Sequence, residues 1–147
     1  MAIFTFIVSF GSLIFSIYVF FNNKSDKNSR KKYDILSPIY IKSLTDDIPD
    51  KFSKLNFKIS SGNGVDEFVE SIRDLNKKIK VIQIIDKNIY SNWNKQILNI
   101  EDFVIDKANN LAIDDNHQNH IMSELSKKLN ILYKTILSED FSNIFKK

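Results

Sequence analysis

Hydrophobic positions along this chain follow two successive patterns. From Met1 to Phe21 no side chain is charged, and a polar run with five basic residues, Lys24, Lys27, Arg30, Lys31 and Lys32, begins directly after it. A spanning helix takes about 20 mainly apolar residues, because about 30 Å of hydrocarbon is crossed at about 1.5 Å per residue. The pattern predicts a single transmembrane helix over 1–21 and a basic juxtamembrane segment over 22–34. A cleaved secretory signal fits less well, since its positive charge precedes a shorter apolar core that ends in small residues. Here the run leaves through Tyr18, Val19, Phe20 and Phe21. Basic charge on one flank only places residues 22–147 on the cytoplasmic face of a cell (inner) membrane, with Met1 outside.

Beyond the collar the period becomes helical. With Val65 at heptad position a, the a series reads Val65, Ile72, Ile79, Asp86, Trp93, Ile100, Lys107. The d series reads Phe68, Leu75, Ile82, Ile89, Gln96, Phe103, Asn110, so that ten of the fourteen positions are apolar. Such spacing lines one face of a helix. Unbroken from Val65 to Phe103, it predicts a coiled-coil-like helix of 39 residues, about 58 Å long. Ser91, Asn92 and Asn94 around Trp93 are poor helix formers, which leaves a kink there as open as continuity. Asp86 interrupts the seam and has two readings. It is either a buried polar residue that fixes register or oligomeric state, or a residue rotated into water.

Shorter elements flank this segment. Ser37-Pro38 is a helix start for a stretch from Ile39 to Leu44, and Thr45 to Pro49 a second start for one from Asp50 to Leu55. Asn56 to Ile59 reads as extended, and Ser60 to Gly64 as a turn. A last helix from about His117 to Leu137 aligns Ile121, Leu125, Leu129, Leu132 and Ile136, and Phe141, Ile144 and Phe145 form a final packed turn. The fold class is all-α, with a helical hairpin or small bundle over 35–147.

Charge then narrows the partners. The net charge is +3, but Ile35 to Lys147 contains sixteen basic and sixteen acidic residues, so the excess belongs to the collar. There it meets membrane lipids, whereas a nucleic-acid binder would carry it on the folded part. Cysteine is absent, which removes thiolate metal sites, disulfides and cysteine nucleophiles. Three glycines are too few for a phosphate-cradling loop. Nineteen lysines against two arginines, with abundant Ile and Asn, point to an AT-rich genome and a bacterial or mobile-element source.

Candidate chemistry is sparse. Thr5, Ser9, Ser12 and Ser16 fall on one stripe of the first helix, where small hydroxylated residues let helices approach and self-associate in lipid. Asp114, Asp115, His117 and His120 have metal-ligand chemistry but sit at a helix start, where capping is the simpler use. No metal, cofactor or catalytic residue is assigned. Trp93 is first a core residue and only second an interface anchor. The resulting expectation is a non-enzymatic, membrane-tethered helical scaffold. It forms a homo-oligomer and recruits a cytoplasmic protein partner, with Phe68, Ile72, Leu75, Ile79, Asp86 and Trp93 as the seam available for interaction. The alternative is a membrane-perturbing effector or channel subunit, for example in phage–host conflict, with a cytoplasmic sensing domain.

Overall fold

Residues 37–59, 62–109 and 114–138 are described by the computed structural model, and among them there is helix and turn but no strand. The charge-free stretch 1–21, the collar 22–34 and the turn expected at Phe141 to Phe145 lie outside the described residues. The compact unit Pro38–Glu139 falls inside the domain drawn at 35–147. No helix among the described residues is long and apolar enough to cross a membrane.

The first helix, α1, joins helical residues 37–42 to a π turn, Ser43–Asp47, and an α-helical end, Ile48–Ser53. Two separate short helices were expected here; the chain instead continues through Thr45 to Pro49 without a break. The Ile48 N–H reaches back to the Ser43 carbonyl, one residue further than in an α-helix. Pro49 lacks an N–H and its ring crowds the carbonyl four residues earlier. The wider turn absorbs that conflict, so the proline bends the hydrogen-bond pattern rather than ending the helix.

The segment after α1 is a turn, not the extended piece expected at Asn56 to Ile59. Asn56 Oδ1 accepts from the Lys58 N–H at 3.1 Å, a side-chain mimic of a backbone turn. Gly64 then starts the next helix with φ of +73°. A Cβ there would stand 2.7 Å from the Lys54 carbonyl oxygen, so both the space and the backbone require glycine.

Helix α2 spans Val65–Ile85 and α3 spans Lys87–Ala108. The continuous 39-residue helix is therefore corrected, and so is the position of the weak point. The break falls at Asp86, which is extended at φ −148° and ψ 109°. Its Oδ1 accepts from the N–H groups of Asn88 at 2.9 Å and Ile89 at 3.0 Å. Asp86 is thus neither a buried registry residue nor a rotated one; it is the N-cap of α3. Ser91 to Asn94 stay helical because Trp93, fully buried, is held there by the core, and tertiary packing overrides weak propensity. The seam also slips. In α2 the a and d positions are buried, whereas α3 buries Trp93, Ile97, Ile100 and Val104, which are a and e.

Helix α4, Asp115–Ser138, is capped by Asp114, whose Oδ1 accepts from the His117 N–H at 2.7 Å. Ile121, Leu125, Leu129, Leu132 and Ile136 are all buried, as their spacing predicts.

Contacts between helices give the topology. Arg73 pairs with Glu101 at 2.7 Å and Lys128 with Asn99 at 2.8 Å, so α2, α3 and α4 alternate in direction. Lys78 meets Ser43 while Phe68 meets Phe52, which sets α1 antiparallel to α2. Tyr133 bonds the Leu44 carbonyl, and Gln118 and Asp115 bond Phe57 and Lys58, which closes α4 onto α1 and the turn after it. The result is an up-down-up-down four-helix bundle. Across its diagonal the Tyr40 and Trp93 rings meet edge to face, with centroids 5.4 Å apart.

Replacing Asp86 by Ala removes the cap of α3 and should cost about 1 kcal/mol, with most of the loss restored by Asn. Urea denaturation of the two variants measures it; equal midpoints for Ala and wild type would mean that the cap does not hold the corner.

Candidate functional site

Buried polarity concentrates at the π turn of α1. Ser43 is only 1% exposed, and its Oγ accepts from Lys78 Nζ at 2.7 Å. The same hydroxyl donates to Asp47 Oδ2 at 3.5 Å, and Lys78 Nζ lies 3.6 Å from that oxygen. One turn spans all three partners because Ser43 and Asp47 belong to α1 while Lys78 reaches across from α2. On the other side of α1 the Tyr133 hydroxyl donates to the Leu44 carbonyl. A π turn draws carbonyls out of their α-helical partnerships, and a buried carbonyl without a donor costs about 1–3 kcal/mol. The Tyr133 phenol supplies that donor. Burial also pushes its pKa well above the ordinary tyrosine value.

The chemistry this cluster can support follows from its polarity. A serine nucleophile needs a neighbour that accepts its proton. Lys78 does the reverse, donating to the serine oxygen beside a carboxylate. The arrangement ties α1 to α2 and α4 and pins the irregular turn. Sequence reasoning missed it altogether. The available signal was Pro49 inside an otherwise helical run, with Ser43 and Asp47 four residues apart before it.

Residues named from the sequence divide into three groups. Thr5, Ser9, Ser12 and Ser16, and Lys24, Lys27, Arg30, Lys31 and Lys32, lie outside the described residues. Phe68, Ile72, Leu75, Ile79 and Trp93 are buried in the bundle's own core, so this seam is occupied by the chain itself. Asp86 is a cap. The Asp/His cluster is dispersed in role: Asp114 caps α4, Asp115 pairs with Lys58 at 2.8 Å, and His120 lies 3.5 Å from Glu124. The Lys58 ammonium holds the Asp115 carboxyl below its ordinary pKa. No group of three or more potential metal ligands assembles among the described residues.

Large apolar side chains left in water are few among the described residues. Ile84 is 88% exposed, while Ile59, Ile131 and, two turns apart on α3, Leu98 and Ile105 are only partly so. No family model matches the chain, and neither the curated proteins nor the solved structures contain a match.

Tyr133 to Phe leaves the Leu44 carbonyl buried without its donor, an expected loss of about 1–3 kcal/mol in urea denaturation. The folded phenol titrates above the unfolded one, so its contribution is complete below the unfolded pKa of 10.0 and falls as pH rises beyond it. The alkaline loss of stability should therefore be shallower in the Phe variant than in wild type. Identical pH slopes would overturn the assignment.

Proposed function

We propose that this chain is a membrane-tethered, non-enzymatic scaffold. Its four-helix bundle stands at the cytoplasmic face of the cell membrane, where it engages a protein partner. The observation that carries the reading is the charge-free stretch Met1 to Phe21 followed at once by Lys24, Lys27, Arg30, Lys31 and Lys32. That pairing of span and basic flank fits a retained anchor with a cytoplasmic continuation. Self-association runs along Thr5, Ser9, Ser12 and Ser16, whose small side chains allow close helix approach in lipid. Bringing several bundles together raises the local concentration of whatever surface they display, without any new contact.

Two features of the bundle support a binding role over catalysis. Its buried polar cluster is polarised for tying helices together, and Asp114 and Asp115 are engaged in a helix cap and an ion pair. With the heptad seam occupied internally, a partner meets the outer surface of the bundle, not the row from Phe68 to Trp93.

Orientation is tested with a reporter that works only in the cytoplasm, fused after Lys147. Activity is expected, and activity of an exported reporter instead would overturn the placement.

Self-association is tested by comparing two double substitutions in a membrane-association assay of the full chain. Ser9→Leu with Ser12→Leu should weaken association several-fold, at about 0.6 kcal/mol or more per site. Ile7→Leu with Ile14→Leu, on the opposite face, should change it little. Equal effects from both pairs would remove the stripe from the interface.

A further inference from the structure

The balanced charge of the folded part is a sum of two opposed ends. In an up-down-up-down bundle the start of α1, the end of α2, the start of α3 and the end of α4 share one end. Residues 37–45, 77–97 and 127–138, the described part of that half, carry nine lysines and one acid, Asp86, and two further acids, Glu139 and Asp140, follow next in the sequence. Residues 46–76, 98–109 and 114–126, the other half, carry thirteen acidic residues and five basic ones. Seven of the nine lysines are exposed, among them Lys80, Lys87 and Lys134, while Lys42, Lys77 and Lys78 lie at the border and pair with Asp47 or Asp74.

Helix dipoles explain only part of this segregation. Anions favour helix N-termini, which suits the acidic first turns of α2 and α4, but neither helix has a basic residue in its last turn. In α1 and α3 the same arrangement is unfavourable. Lys87 sits in the first turn of α3, while Asp102 and Asp106 lie toward its end. Like charges gathered at one end also repel one another; Lys78 and Lys128 are tied into the packing through Ser43 and Asn99, whereas Lys80, Lys87 and Lys134 are exposed.

We infer that the lysine-rich end of the bundle docks on an anionic lipid surface. Two observations choose this partner. The chain enters the bundle at Pro38, on this end, directly after the basic collar and the charge-free stretch, and basic residues beside a membrane are drawn to anionic lipid. The most exposed large apolar side chain among the described residues, Ile84, lies at the same end, one helical turn after Lys80. The choice of lipid rests on the proposed membrane anchor, whereas the charge segregation stands without it.

Contact is electrostatic, so it is lost with salt and works only within about a Debye length, some 8 Å at physiological ionic strength. Each lysine near an anionic leaflet strengthens the contact about fivefold. The acidic half is repelled by the same surface, so the bundle stands on its basic end with Phe57, Gly64 and Asp114 on the far side.

The chain has no cysteine, which makes single labels clean. A fluorophore is placed at Ile84→Cys or at Asn116→Cys in the full chain, reconstituted in vesicles that carry acceptor headgroups. The vesicles are phosphatidylcholine alone or phosphatidylcholine with phosphatidylserine. With phosphatidylserine, transfer from position 84 should exceed transfer from 116. It should fall with added salt and in the triple variant Lys80→Glu, Lys87→Glu, Lys134→Glu, whose fold is checked by circular dichroism. Equal transfer from position 84 with and without phosphatidylserine, or no effect of the triple variant, would overturn the docking. Alkaline extraction from phosphatidylcholine vesicles tests the anchor separately. If the chain is released, the anchor fails, and the labelled chain added to preformed phosphatidylserine vesicles still decides the docking. Transfer from position 84 above that from 116 sustains it, and its absence ends it.

Discussion

The rest of this bundle depends on the reversal of the chain at Asp86. One extended residue between two helices of more than twenty residues each leaves no loop to absorb error. The N–H groups that begin α3 have no helical partners, and two of them find the Asp86 side chain. With those donors satisfied, the chain reverses in a single residue and α3 lies back along α2. Arg73 then meets Glu101, and Trp93 enters the core against Tyr40. Without the reversal the two amphipathic faces would point along one rod and would need another molecule to cover them.

The π turn of α1 plays the complementary role on the opposite side of the core. Pro49 imposes an irregularity, and the fold answers it with groups from both neighbouring helices. Lys78 of α2 reaches the Ser43 and Asp47 side chains, and Tyr133 of α4 reaches the Leu44 carbonyl. An irregular turn has become the place where α1 is fastened, because displaced backbone groups are the ones with hydrogen-bonding capacity to spare.

Heptad counting recovered the faces of the helices and missed the turn between them. The period is the same on both sides of Asp86, so a reversal that omits only one helical residue leaves the a series intact. The one trace was the exchange of d for e: Ile89, Gln96 and Phe103 are only half buried, while Ile97 and Val104 are buried. Weak propensity at Ser91 to Asn94 pointed to the wrong break, because burial of Trp93 outweighs a few tenths of a kcal/mol per residue. The last helix was legible throughout, its capping aspartate included, because local hydrogen bonding and spacing agree there. Neutrality of the folded part was legible as a total, but its division into two ends needs the topology, which no window of sequence contains. The Ser43–Lys78 contact spans 35 positions for the same reason.

The topology also decides how the bundle answers a pull. Helix α1 begins and α4 finishes at one end, and these two helices are antiparallel neighbours joined through Tyr133 and Leu44 at that end and through Phe57 and Gln118 at the other. Tension applied between the two points loads their contacts one after another, from that end inward, instead of all together. Such a geometry opens like a zipper and yields at low force, whereas tension applied along a single helix would have to shear a whole row of packed side chains at once. The Tyr133–Leu44 bond is the first tooth.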